Sequence, residues 1–104
     1  MNTRSTPATF QLAQDTPDTL TLRGVLSFAT AAQALQALQA ALAKAAVTVL
    51  DLSGVTHGDS AGLSSLLAVM AEASARGRPV TLVHLPEGMQ TLAGVCGVDR
   101  MLAE

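Results

Sequence analysis

The sequence predicts a single α/β domain built on a mixed β-sheet with helices packed mainly on one face. Three observations predict it. Short strand-like runs alternate with longer leucine- and alanine-rich stretches in the order strand, strand, helix, strand, helix, strand, helix. A chain of 104 residues holds one compact domain and is too short for two. Residues 46–52, Ala-Val-Thr-Val-Leu-Asp-Leu, are nearly continuous in apolar side chains, as expected of a central strand buried on both faces.

Taken in order, residues 1–7 are expected to form a flexible start to a domain spanning 1–104. Residues 8–14 and 19–23 read as the strands of an opening hairpin. Asp15-Thr16-Pro17-Asp18 makes the turn, and Leu20 and Leu22 alternate with polar neighbours as in a strand with one buried face. Residues 24–28 bridge to a helix over about 30–45, capped by Thr30, with Ala31, Leu35, Leu38, Leu42 and Ala45 in one stripe and Gln33, Gln36 and Lys44 off it. After the central strand, Gly54 and Gly58 permit the turns of a loop that contains His57. A second helix over about 60–75 is stopped by Arg76-Gly77-Arg78-Pro79. Residues 80–85 form the next strand, with His84 at a sheet edge or half-buried. A third helix follows Pro86-Glu87 with Met89, Leu92, Ala93 and a core Cys96 along one side, and residues 97–102 close the domain.

Composition narrows the function classes. Hydrophobic residues make up 49% and charged residues 13% of the chain, and mean hydropathy is +0.39. That charged fraction is roughly half the ~25% usual for soluble domains, so part of the surface is expected to be covered by a partner. A net charge of −2, no basic run, and no Tyr or Trp argue against a nucleic-acid ligand. One cysteine excludes an internal disulfide, and two histidines add too little for a structural zinc site, so no metal or cofactor is expected. No signal-peptide core and no membrane-spanning run is present, which places the chain in the cytoplasm without direct membrane insertion.

The stretch of chemical interest is Asp59-Ser60-Ala61-Gly62-Leu63, where strand passes into helix. Asp59 and Ser60 both carry oxygens that cap a helix start, and a hydroxyl there sits beside the positive end of the helix dipole, a setting that favours added negative charge. Ser60 therefore reads as a cap, a contact residue or a phosphoacceptor. Asp59 reads as a cap that polarises an interface rather than a general base. A Ser-His-Asp triad with His57 is rejected, since no nucleophile elbow is present and sequence neighbours rarely adopt triad geometry. Asp51 is expected to accept backbone hydrogen bonds in the loop after the strand. On the second helix Leu63, Leu66, Leu67, Met70 and Ser74 share the face expected to pack on the sheet. The opposite face, Ala61, Ser64, Ser65, Ala68, Val69, Glu72 and Arg76, is small and weakly polar until its last turns, as in a docking surface.

Asp51-Leu52-Ser53-Gly54-Val55 followed by Asp59-Ser60-Ala61-Gly62-Leu63 and a leucine-rich helix closely resembles the signature of STAS domains, known from anti-sigma-factor antagonists and the cytoplasmic tails of sulfate transporters. The resemblance runs over nearly the whole chain. Residues 24–31 and 92–102 look like MlaB-type members, and the acidic residue that antagonists commonly carry near Ser27 or Phe28 is missing. An MlaB-type chain would be a non-catalytic subunit on the ATPase of a phospholipid ABC transporter that maintains outer-membrane lipid asymmetry, peripheral to the inner membrane through that complex. The resemblance puts the hydroxyl position matching Ser60 at the ATPase contact, and together with the docking face read from the helix the expected contact residues are His57, Asp59, Ser60, Ala61, Ser64, Ser65, Ala68, Val69 and Glu72. The alternative it implies is an anti-sigma-factor antagonist, switched by a partner serine kinase that phosphorylates Ser60.

Overall fold

A computed structural model describes residues 9–44 and 46–96. Ala45, the start at 1–8 and the closing segment 97–102 lie outside the described residues, as does the side chain of Cys96. The described elements are β1 (Phe10–Thr16), β2 (Thr19–Leu26), α1 (Ala31–Lys44), β3 (Val49–Gly58), α2 (Ser60–Ala75), β4 (Thr81–Val83) and α3 (Glu87–Cys96), in the order the sequence predicts. They form a sheet of order β1-β2-β3-β4 in which β1 and β2 run antiparallel and the other two pairs run parallel, so the sheet is mixed.

Register explains the core. Leu12 lies opposite Leu22, Leu20 opposite Leu50, and Leu50 opposite Leu82. Residues opposite one another share a face, so these leucines make one apolar surface. Against it pack Ala34, Leu38 and Leu42 of α1, Leu63, Leu66, Val69 and Ala73 of α2, and Met89 and Ala93 of α3. The alternate positions Arg23, Ser53 and Thr81 are exposed on the reverse face, whereas Val49 and Asp51 are half-buried and Thr21 is buried there. The central strand is thus buried on one face, not two. Its apolar run looked continuous because Val47, buried just before the strand, and half-buried Val49 precede Leu50 and Leu52 at the alternate positions.

Other boundaries shift for reasons of pairing. The hairpin turn shrinks to Pro17-Asp18, with a register irregularity between Gln14 and Thr16. Each of β2 and β3 extends well past its expected end because the two continue to pair, Val25 with His57 and Leu26 with Gly58. His57 is therefore a strand residue. By contrast β4 stops at Val83, since His84 takes a φ of 58°, outside any strand conformation, and is exposed. Thr30 does not cap α1 with its side chain. Its buried hydroxyl turns back to donate to the Val25 carbonyl at 2.7 Å and accepts the Ser27 N–H at 3.0 Å, closing the turn between β2 and α1.

The predicted limits of α2 match the structure. Gly77 adopts φ 75°, the left-handed conformation that ends helices, and the Arg78 N–H returns to the Ala73 carbonyl at 2.9 Å. At its other end α2 lies so close to β2 that a Cβ on Gly62 would collide with the Leu26 carbonyl. Gly62→Ala is expected to lower stability by about 1–3 kcal/mol through this backbone clash. Urea unfolding would show it as a reduced midpoint, and an unchanged midpoint would contradict this seating of the helix.

Candidate functional site

The parallel strands β2 and β3 end side by side at Leu26 and Gly58. In open α/β sheets the carboxyl ends of such strands are the usual place for binding, because the loops that leave them converge there. Here Ser27-Phe28-Ala29 leads into α1 and Asp59 leads into α2.

Asp59 joins the two. With extended backbone angles (φ −137°, ψ −171°) it caps α2, its Oδ1 accepting the Gly62 N–H at 3.0 Å. Its Oδ2 accepts the Phe28 N–H, also at 3.0 Å, and its own N–H donates to the Leu26 carbonyl at 3.3 Å. The hydrogen bond from Gly62, followed by that from Phe28, outweighs desolvation and holds the Asp59 carboxyl below its ordinary pKa. The expected cap is thus present, and the same carboxylate also fixes the neighbouring turn.

Ser60 is the first residue of α2. Its side chain is exposed, and no hydrogen bond engages its hydroxyl among the described residues. Ser64 and Ala68 continue the exposed row, although the Ser64 hydroxyl is occupied by the Ser60 carbonyl at 2.9 Å. Ala61 is half-buried, and His57 is exposed at the end of β3.

Two expected members of the docking face are not on it. Ser65 is 8% exposed and Val69 only 1%, whereas Leu67 and Met70, expected beneath the helix, are half-buried and Ser74 is exposed. The buried arc is turned toward α1, which lies alongside α2. The Ser65 hydroxyl reaches the carbonyls of Ala61 at 3.2 Å and Ala31 at 3.3 Å, and Gln39 of α1 donates to Glu72 at 2.8 Å. Glu72 is half-buried and tied to α1 rather than free.

Phe28 escaped the sequence reading as a site residue. It is 85% exposed, whereas the other phenylalanine, Phe10, is 7% exposed. A lone aromatic in a short turn between strand and helix was the available signal.

No triad forms at this end of the sheet: among the described residues no hydrogen bond links His57 to Asp59 or Ser60. The other histidine pairs elsewhere, His84 Nδ1 lying 3.0 Å from Asp51 Oδ1 on the reverse face of the sheet. Desolvation pushes the Asp51 carboxyl up, but the Ser53 N–H at 2.9 Å and the His84 contact together outweigh it, and the net displacement is downward. Among the described residues no three His, Cys, Asp or Glu side chains gather as a metal site would need, and no helix is long and apolar enough to cross a membrane. An apolar groove of about 590 Å³ along Met70, Ser74, Pro79 and Val80 lies toward the far end of α2, away from Asp59.

Comparison with known proteins gives a family and a fold. The family model described as Mlab, STAS domain matches residues 10–103. Among solved structures, the anti-sigma factor antagonist SpoIIAA in its unphosphorylated form superposes with a TM-score of 0.69 at 23% identity, over 88% of this chain and 84% of that one. The Bacillus cell fate determinant SpoIIAA in the phosphorylated form gives 0.65 at 24%, over 88% and 86%. An anti-sigma factor antagonist from Mycobacterium paratuberculosis gives 0.71 at 23%, over 90% and 81%. At these identities the likeness is one of fold. No curated protein matches the chain.

The Asp59 linkage has a definite sign. A carboxyl whose pKa is lower in the folded than in the unfolded state adds stability above the unfolded value, near pH 4, and that stability is lost as pH falls through the folded value. The stability gap between the wild type and Asp59→Asn is therefore expected to narrow between about pH 5 and pH 2. Urea titrations across that range would show it, and a constant gap would contradict the linkage. Asp59→Ala, which removes the cap as well, should cost about 1 kcal/mol at neutral pH.

Proposed function

Because the chain belongs to the Mlab, STAS domain family, we propose that it is a non-catalytic binding subunit that docks on the cytoplasmic ATPase of an MlaFEDB-type phospholipid ABC transporter. The observation that carries this reading is the exposed, uncharged row Ser60, Ser64 and Ala68 on α2, beside an exposed Phe28 at the carboxyl ends of the parallel strands. A helix face that meets only water is usually dense in Lys and Glu. Small side chains let a partner helix or loop approach the backbone closely.

The contact runs through His57, Asp59, Ser60, Ala61, Ser64 and Ala68, while buried Ser65 and Val69 support the face from beneath and Glu72 holds α2 to α1. A subunit that binds one conformation of the ATPase better than others raises the population of that conformation. Lipid and nucleotide are then handled by the other subunits, and this chain sits on the cytoplasmic side, peripheral to the inner membrane.

A second reading has its own observation. The Ser60 hydroxyl is exposed, free of hydrogen bonds among the described residues, and placed at a helix N-terminus. A phosphate there would add about −1.5 to −2 charge, favoured by the helix dipole but set between Asp59 and an apolar neighbour, so it would expel an apolar partner. That is the behaviour of an antagonist switched by a serine kinase.

Two experiments separate the readings. Co-expressed with the ABC ATPase encoded beside its gene, the wild-type chain should co-purify, and Ser60→Glu or Ala68→Arg should abolish the complex; retention by both variants would sink the proposed face. Incubation with a serine kinase encoded beside an anti-sigma system should add 80 Da, about one phosphate, to Ser60 under the second reading. An unmodified peptide by mass spectrometry would count against it.

A further inference from the structure

We propose that Phe28 is the apolar anchor of the partner contact and that Asp59 is the residue that positions it, an inference that rests on the docking reading above. Three features of the turn between β2 and α1 carry it. The first is exposure: Phe28 presents 85% of its surface to water, although the described core accommodates Phe10 almost completely. A phenylalanine ring left in water adds little to the stability of an isolated domain, and Phe is among the side chains enriched in the cores of protein interfaces.

The second feature is rigidity. The turn is closed by the Thr30 N–H to the Ser27 carbonyl at 2.9 Å, the Ser27 N–H to the Thr30 hydroxyl at 3.0 Å, and the Ala29 N–H to the Ser27 hydroxyl at 3.3 Å. Phe28 itself is pinned from the other connection by Asp59 Oδ2 at 3.0 Å. The backbone that carries the ring is held this way and loses little further freedom on binding, which is the benefit of preorganisation.

The third feature is local charge. Each oxygen of the Asp59 carboxylate accepts a backbone N–H, so part of its hydrogen-bonding capacity is already met within the chain. An apolar partner surface meeting Phe28 therefore faces a smaller desolvation cost than it would beside an unpartnered carboxylate. The occupant this fits is an apolar socket on the ATPase, lying next to the surface that receives Ser60 and Ala68.

The two roles are separable by chemistry. In Asp59→Asn the remaining carbonyl oxygen still caps Gly62, and Asn caps helices as well as Asp does. Its amide NH2, however, cannot accept the Phe28 N–H. This variant keeps the helix start and releases the anchor.

The experiment is a calorimetric titration of the purified wild type, Phe28→Ala, Asp59→Asn, the double variant and Ala68→Arg against the purified ABC ATPase encoded beside the gene, with thermal melts of each protein. Phe28→Ala should weaken binding by about 30-fold, the scale of a hot-spot aromatic, without shifting its melt. Asp59→Asn should weaken binding in the wild-type background and cost much less in the Phe28→Ala background, a non-additivity that a merely structural role would not produce. Affinity of Phe28→Ala within about twofold of wild type, with binding still lost in Ala68→Arg, overturns the anchor while the docking reading stands. Full additivity of the two substitutions overturns the positioning role of Asp59. Failure of the wild type to bind at all overturns the docking reading, and the anchor falls with it.

Discussion

The Asp59 carboxylate ties together the two connections that leave the carboxyl ends of the parallel strands, where the candidate site is built. One oxygen satisfies an N–H in the first turn of α2, and the other reaches across to Phe28 in the turn before α1. Gly62 allows the rest: without a Cβ there, the helix start can lie directly against the Leu26 carbonyl, which also accepts the Asp59 N–H. The exposed row on α2 and the exposed aromatic beside it hold a fixed relation because these few contacts leave no slack between β2 and α2.

Local signals carried most of the architecture. The order of elements followed from runs of apolar residues and from breakers between them, and the limits of α2 from an acidic cap and a Gly-Pro stop that act within a few residues of their own positions. The face of α2 was less legible. Leu63, Leu66, Leu67, Val69 and Met70 surround so much of the helix that its period defines no single buried side, and the choice is made by α1, which draws Ser65 and Val69 inward. Strand ends were misread for a related reason: β2 and β3 run on because each offers the other a partner, and nothing within either segment reports that. The one signal for Phe28, an aromatic in a short turn, does not decide its role, because such a residue is as easily buried as exposed until the turn is fixed.

The two faces of the sheet divide the work. The leucine face holds the helices. The reverse face is polar and closes its own bonds, with Asp51 gathering Ser53 and His84. Membership of the Mlab, STAS domain family and a fold shared with anti-sigma factor antagonists describe a scaffold on which more than one regulatory role is possible. On the proposed reading, the roles differ through the chemistry at the edge where α2 begins, where an exposed hydroxyl, small side chains and one aromatic share a rim.

The bond between Phe28 and Asp59 joins residues 31 apart in sequence and spans the whole crossover through α1. The β1–β2 hairpin needs only neighbours, whereas parallel pairing of β2 with β3 must wait until the intervening helix has been laid down and the loop closed, and such non-local pairings form slowly. The contact between Phe28 and Asp59 can therefore form only once α1 and β3 have been made. A chain ending before Asp59 has the hairpin and a helix but lacks the bond that ties the Phe28 turn to the start of α2. The arrangement of that end of the sheet is in this sense a property of the closed crossover rather than of either connection alone.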